Sequence, residues 1–135
     1  MNYWLLKTEP ETFSWELLEQ AVVSMWDGVR NYQARNNLRK MKAGDQVLFY
    51  HSGKNPGITG LAEVVREHYP DPTAKEGDWS VVDVKAIRKF KRFVTLQEIK
   101  QISDLQNMAL VKNTRLSVQP VQLEEFKEIL LIAEK

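Results

Sequence analysis

Gln46-Val47-Leu48-Phe49-Tyr50-His51, then Ser52-Gly53-Lys54-Asn55-Pro56-Gly57, then Ile58-Thr59-Gly60-Leu61-Ala62-Glu63-Val64-Val65 is the stretch on which the fold turns. Two runs rich in β-branched and aromatic residues flank a loop of Gly, Asn and Pro, the pattern of a β-hairpin. Gly44-Asp45 supplies the turn into the first run. Toward the N-terminus, Tyr3–Lys7 reads as a further strand ended by Pro10. Ser14 is placed to cap a short helix over Trp15–Ala21, with Glu16 in the favourable first turn. Asn31 is placed to cap a second helix, in which Ala34, Leu38 and Met41 share one face and Arg35 and Arg39 another. Toward the C-terminus, Tyr69-Pro70-Asp71-Pro72 breaks the chain before a strand from Trp79 to about Lys89. There Val82, Val84 and Ala86 alternate with Asp83 and Lys85, giving one dry face and one wet one. Thr95 and Glu98 have capping-box spacing for a short helix. A strand at Arg115–Gln119, then Pro120 and a helix over Leu123–Ala133, close the chain. Five or so strands interleaved with short helices, without βαβ regularity, predict an α+β fold on a small curved sheet or barrel.

The chain has 135 residues, which fits one domain over residues 1–135. It carries 43% hydrophobic and 27% charged residues, ordinary for a globular protein. No apolar run approaches the roughly 18 residues of a membrane-spanning helix, and the N-terminus lacks the basic start of a signal peptide. There is no cysteine, hence no disulfide, thiolate nucleophile or Cys-based metal site. A reducing compartment is expected: cytoplasmic, or nuclear in a eukaryote. No membrane partner is expected.

A net charge of +1 hides strong segregation along the chain. Glu9, Glu11, Glu16, Glu19 and Asp27 lie in a stretch without a base, and Arg30, Arg35, Arg39, Lys40 and Lys42 follow in one without an acid. A second basic run contains Lys85, Arg88, Lys89, Lys91 and Arg92. Basic faces steer anions and nucleic acid, although ordinary solvated faces look the same in sequence.

Catalytic patterns are sparse. His51 and His68 lack a metal spacing, and no P-loop, G-x-S-x-G or G-x-G-x-x-G motif is present. His51 and Ser52 are neighbours that a strand would point to opposite faces, so His51 reads as a structural hydrogen-bonding group. The denser signal is Trp26-Asp27-Gly28-Val29-Arg30-Asn31-Tyr32, a Trp before a glycine turn and polar groups at a helix start. Trp26 and Tyr32 offer faces on which a base can stack. Thr8, Asp27 and Asn31 can meet a base edge, and Lys7 and Arg30 a phosphate or carbonyl. The same residues also fit a core role for the aromatics and a surface ion pair for Arg30.

Lys7-Thr8-Glu9-Pro10 and Trp26–Asn36 closely resemble the EVE domain family. Phe49-Tyr50-His51-Ser52, Gly60-Leu61-Ala62, Tyr69-Pro70-Asp71, Trp79–Val84 and Arg115–Pro120 extend the resemblance across nearly the whole chain. It implies a PUA-like fold: a small β pseudobarrel of about five to six strands with flanking short helices.

The resemblance further implies a non-enzymatic module that captures a modified base, methylated or hydroxymethylated, from DNA or RNA in an aromatic pocket. YTH domains, similar in fold, hold a methylated adenine of RNA in such a cage. Matched by motif, Trp26 takes the place of the cage Trp, Lys7 and Thr8 that of the polar pair ending the first strand, and Trp79 lies near a second cage aromatic. Thr8 stands where the family usually has Ser, and the hydroxyl is kept. The expected site is therefore Lys7, Thr8, Trp26, Asp27, Arg30, Asn31, Tyr32 and Trp79. Trp26, with Trp79 and Tyr32, would sandwich the base, and Arg35, Arg39 and Lys89 would meet the nucleic-acid backbone. Trp26→Ala is expected to abolish capture while sparing the fold. No catalytic residue, cofactor or metal is expected, and a monomer is assumed. A nucleoside-binding or protein-interaction module stays open, as does an enzyme acting on modified nucleotides through Asp27 or His51.

Overall fold

A computed structural model describes residues 1–135. One six-stranded sheet organises the chain: β1 (Tyr3–Thr8), β2 (Val23–Met25), β3 (Gln46–His51), β4 (Gly57–Pro70), β5 (Ser80–Thr95) and β6 (Val118–Val121). Their order across the sheet is β2-β5-β4-β3-β1-β6. Only β1 and β3 pair in parallel; every other neighbouring pair is antiparallel. Helices α1 (Trp15–Ala21), α2 (Tyr32–Lys40), α3 (Leu96–Ile99), α4 (Ala109–Lys112) and α5 (Leu123–Ala133) fill the connections.

The sheet curls. Its two edges, β2 on one side and β1 with the residues leading into β6 on the other, line one common cavity. Helix α2 spans the remaining gap. Asn37 Nδ2 donates to the Val118 carbonyl of the β6 edge at 2.8 Å, and Arg39 Nε donates to Ser80 Oγ of β5 at 2.9 Å. The result is the pseudobarrel of the PUA-like fold, and the α+β class is as the element pattern predicts.

The alternation of side chains on each strand divides the apolar residues between two cores. Trp4, Leu6, Val47, Phe49, Val82 and Val84 turn inward beneath α1 and α2, with Trp15, Trp26 and Leu38. Leu5, Leu48, Tyr50, Ile58 and Leu61 turn to the other face and pack against α3, α4 and α5 through Ile99, Leu110, Phe126 and Ile129. Strands β1 and β3 are thus dry on both faces, which explains their unbroken apolar runs. Gly60 marks a close approach, since a Cβ there would stand 2.7 Å from the Trp15 ring.

The helix starts are as the caps predict. Ser14 Oγ accepts from Leu17 N–H at 3.2 Å, Asn31 Oδ1 from Ala34 N–H at 2.9 Å and Thr95 Oγ1 from Glu98 N–H at 3.1 Å. The strand ends differ from expectation. β4 runs to Pro70 rather than Val65, and β5 to Thr95 rather than Lys89. The two form one long ribbon with four shifts of register, which spoil the period-2 pattern that marks a strand in sequence. The last strand begins at Val118 and carries Pro120, tolerable because β6 is an edge. Strand β2 and helix α4 have no counterpart in the sequence reading.

Candidate functional site

The cavity between the sheet edges has a volume of about 480 Å³, within the range of small-molecule sites. Trp26, Phe13, Met25 and Val29 give it apolar walls, and Lys7, Thr8, Thr12, Ser24, Asp27, Arg30 and Ser117 give it polar ones. Five expected residues, Lys7, Thr8, Trp26, Asp27 and Arg30, therefore converge, although two separate parts of the chain supply them. Strand β1 carries Lys7 and Thr8 to its C-terminal end. The turn after β2 carries the other three, and Gly28 at φ 80° lets it bend there.

Trp26 is a wall rather than a free lid. It is only 6% exposed and meets Phe49 edge-to-face at 5.6 Å and Phe13 at 5.9 Å. The expectation that Trp26 could be removed without disturbing the fold is corrected by this packing: the ring belongs to the inner core as much as to the cavity. Thr8 donates its hydroxyl hydrogen to the Phe13 carbonyl at 3.0 Å, which ties β1 to the loop before α1. Its oxygen lone pairs stay available as acceptors. Lys7 Nζ donates to the Thr114 carbonyl at 2.9 Å, and burial holds its ammonium below the usual lysine range. It has no carboxylate within ion-pair distance among the salt bridges of the molecule.

The turn bearing Asp27 and Arg30 is held by Asp71, to which the sequence reading assigned no role. Its buried carboxylate accepts from Gly28 N–H at 3.0 Å and from Arg30 Nη1 at 2.9 Å. The other oxygen accepts from Thr73 N–H at 2.7 Å and Thr73 Oγ1 at 2.6 Å. Burial alone would raise its pKa, but these donors, Thr73 and Gly28 foremost, pull it down to about 2. Asp-x-Thr is the spacing of an Asx-turn, the one local signal that marked Asp71.

The other expected site residues lie elsewhere. Asn31 spends its side-chain oxygen on the α2 cap and lies outside the cavity wall. Tyr32 and Trp79 also stand outside, stacked on each other with centroids 5.1 Å apart and planes 16° apart. They form no sandwich with Trp26, because α2 begins after the turn has already left the cavity. Arg35 Nη1 donates to the Asp78 carbonyl at 3.1 Å, and Arg39 pairs with the Asp78 carboxylate at 2.7 Å. The basic face of α2 thus anchors the loop before β5. Lys89 lies 3.3 Å from Glu16, Arg88 pairs with Glu134 at 2.6 Å, and Arg92 pairs with Glu98. Three of the five bases in the second run are thereby paired with acids from other parts of the chain. Phe13, Ser24, Met25 and Ser117 are cavity residues that sequence reasoning missed, because loop and edge-strand positions carry no periodic signal.

His51 is structural, as its strand-end position predicts. Its Nε2 accepts from Trp15 N–H at 3.1 Å, which requires the neutral ring. Burial lowers its pKa, with Lys89 adding to the effect and Glu16 and Glu11 opposing it. A histidine that resists protonation when folded lets the unfolded state bind more protons below about pH 6.5, so stability rises with pH there. The melting temperature should therefore fall between pH 7 and pH 5.5, and His51→Gln should flatten that slope. An unchanged slope in the variant would assign the dependence to another group.

Comparison with known proteins places this geometry. The EVE domain family matches residues 2–132. Human thymocyte nuclear protein 1 is 42% identical over 99% of this chain and 75% of its own length. A solved structure of the human THYN1 protein in complex with 5-methylcytosine-containing DNA superposes with a TM-score of 0.92 at 42% identity, covering 100% of this chain and 99% of that one. A YTH domain from Zygosaccharomyces rouxii, solved in complex with N6-methyladenosine RNA, shares the fold at a TM-score of 0.62 and 19% identity, over 99% of this chain and 87% of that one.

Proposed function

The chain belongs to the EVE domain family, and from that premise we propose that it is a non-enzymatic reader that takes a methylated base of nucleic acid into the cavity at the barrel gap. The observation that carries this is the cavity itself. One wall is an indole buried against two phenylalanines, and Lys7, Thr8, Asp27 and Arg30 line the same cavity. A relative of the same fold, aligned over the whole chain, is known in complex with DNA containing 5-methylcytosine.

The base would enter unstacked, from a single strand or an opened duplex, at a cost of a few kcal/mol. Trp26 supplies the stacking face, worth about 1–3 kcal/mol per base. Thr8, Asp27 and Ser117 offer acceptors and donors to the base edge, and Lys7 meets a carbonyl or phosphate. Burial of one methyl adds about 0.8 kcal/mol. Discrimination by burial alone therefore stays below about tenfold, and polar contacts must supply the rest. Neither enzymatic candidate is set up for base-directed hydrolysis: His51 Nε2 is engaged by Trp15, and Asp27 is exposed at the rim.

One observation favours a second reading, a pocket for a free nucleoside. Arg30, Arg39 and Lys89, three of the expected phosphate contacts, are each paired with a carboxylate. Salt dependence separates the two. With Lys7 and Arg35 as the unpaired cations beside the site, a strand should bind with a log–log salt slope of roughly −1 to −2. The test is binding to short labelled DNA and RNA strands with unmodified and methylated bases at several salt concentrations. Selective, weakly salt-dependent capture of one methylated strand is the expected result. Binding of a free methylated nucleoside as tight as of the strand would favour the second reading.

A further inference from the structure

We infer that Tyr32, backed by Trp79, is an external stacking platform for the nucleobase next to the captured one. The inference rests on the base-reader reading of the cavity and extends it to a neighbouring nucleotide. Tyr32 is 67% exposed, an unusual position for an aromatic ring that starts a helix in a folded domain. It is nonetheless braced from behind. Its inner face lies on Trp79 at 5.1 Å, and Trp79 is wedged against the Gly77 backbone, where φ is 90° and an added Cβ would stand 2.6 Å from the indole nitrogen. Arg39 clamps the Asp78 carboxylate, fixing the loop from which Trp79 projects. An aromatic fixed before binding loses little freedom when a base stacks on it.

The surroundings select a nucleic-acid strand as the occupant. The Arg35 guanidinium sits 4.9 Å from the Tyr32 ring centre and 5.7 Å from that of Trp79, and it has no carboxylate partner. A flat face beside a guanidinium that only neutral oxygens, Asn36 Oδ1 and the Asp78 carbonyl, engage matches a base and the phosphate attached to it. Arg30 joins the platform to the cavity: it lines the cavity and lies 5.6 Å from the Trp79 ring centre. A strand whose base enters the cavity therefore leaves past Arg30 onto the stacked pair. The two expected cage aromatics that do not reach the cavity thus act one nucleotide away from it.

The test uses the intact protein with Tyr32→Ala and Tyr32→Phe, and three probes: free 5-methyldeoxycytidine, a short single strand carrying one 5-methylcytosine, and the same strand with abasic sites beside the modified base. N6-methyladenosine RNA is run in parallel. Melting curves should show both variants folded, since the Tyr32 ring is mostly outside. Tyr32→Ala should weaken strand binding roughly tenfold or more and leave the free nucleoside unaffected, and Tyr32→Phe should bind as wild type. The abasic sites should weaken wild type by a similar factor and Tyr32→Ala hardly at all. Equal strand affinity in wild type and Tyr32→Ala, or an equal abasic penalty in both, would overturn the platform while leaving the reader standing. Failure of wild type to bind any methylated strand would overturn both.

Discussion

Asp71→Ala is expected to destabilise the domain by about 3 kcal/mol and to abolish capture of a methylated base, the largest effect foreseen for a residue outside the cavity wall. The carboxylate accepts four hydrogen bonds, from Gly28 N–H, Arg30 and both donors of Thr73. Removing it leaves the Gly28 and Thr73 amides without a partner and the Arg30 guanidinium without its counter-ion. Because Arg30 is partly solvated, the loss is carried chiefly by the unsatisfied N–H groups. Asp71→Asn should be nearly as severe, since its amide nitrogen would face donors. The folded pKa of about 2 lies below the ordinary aspartate value of 3.8. The carboxylate thus contributes about 2 kcal/mol that is present above pH 4 and lost as the pH falls toward 2. Denaturant unfolding of wild type and both variants, at neutral pH and at pH 3, checks the ranking. A variant as stable as wild type, still binding, would show that the turn holds its shape without Asp71.

Trp26→Ala is expected to lose binding and about 3–5 kcal/mol of stability together, because the cavity wall and the inner core share one ring. The indole is edge-to-face with Phe13 and Phe49, and Phe49 in turn meets Trp15 at 5.3 Å and His51 at 5.5 Å. Truncation would open a void at the centre of that aromatic cluster. Trp26→Phe keeps most of the packing and is the variant with which to measure binding; it should melt within a few degrees of wild type while binding more weakly. A Trp26→Ala protein with unaltered stability would instead show that the cluster closes over the gap.

Local signals in the chain were enough for the parts of this fold that local physics decides. Ser14, Asn31 and Thr95 cap helices because a short polar side chain can satisfy a free amide three residues on, whatever lies beyond. The apolar runs of β1 and β3 announce strands, and the resemblance carried by Lys7–Pro10 and Trp26–Asn36 already pointed to the cavity. Elements held by distant partners were less legible. Val23–Met25 is a strand only because Lys85, Val84 and Asp83 stand opposite it, and β4 outruns its apolar segment because β5 accompanies it through successive bulges.

The same division runs through the site. Which residues have the chemistry to hold a base, Lys7, Thr8, Trp26, Asp27 and Arg30 among them, is a matter of side-chain type and was present in the primary structure. Where each one points depends on how the sheet curls. That curl brings the ends of β2 and β1 to one cavity with Trp26 in its wall, while α2 carries Tyr32 out to the surface beside Trp79. Charge followed the tertiary fold too: Arg30, Arg39, Arg88, Lys89 and Arg92 of the two basic runs pair with Asp71, Asp78, Glu134, Glu16 and Glu98, while Arg35 keeps no carboxylate partner. Side-chain chemistry is a property of each residue, whereas burial, pairing and direction depend on neighbours that only closure of the barrel supplies.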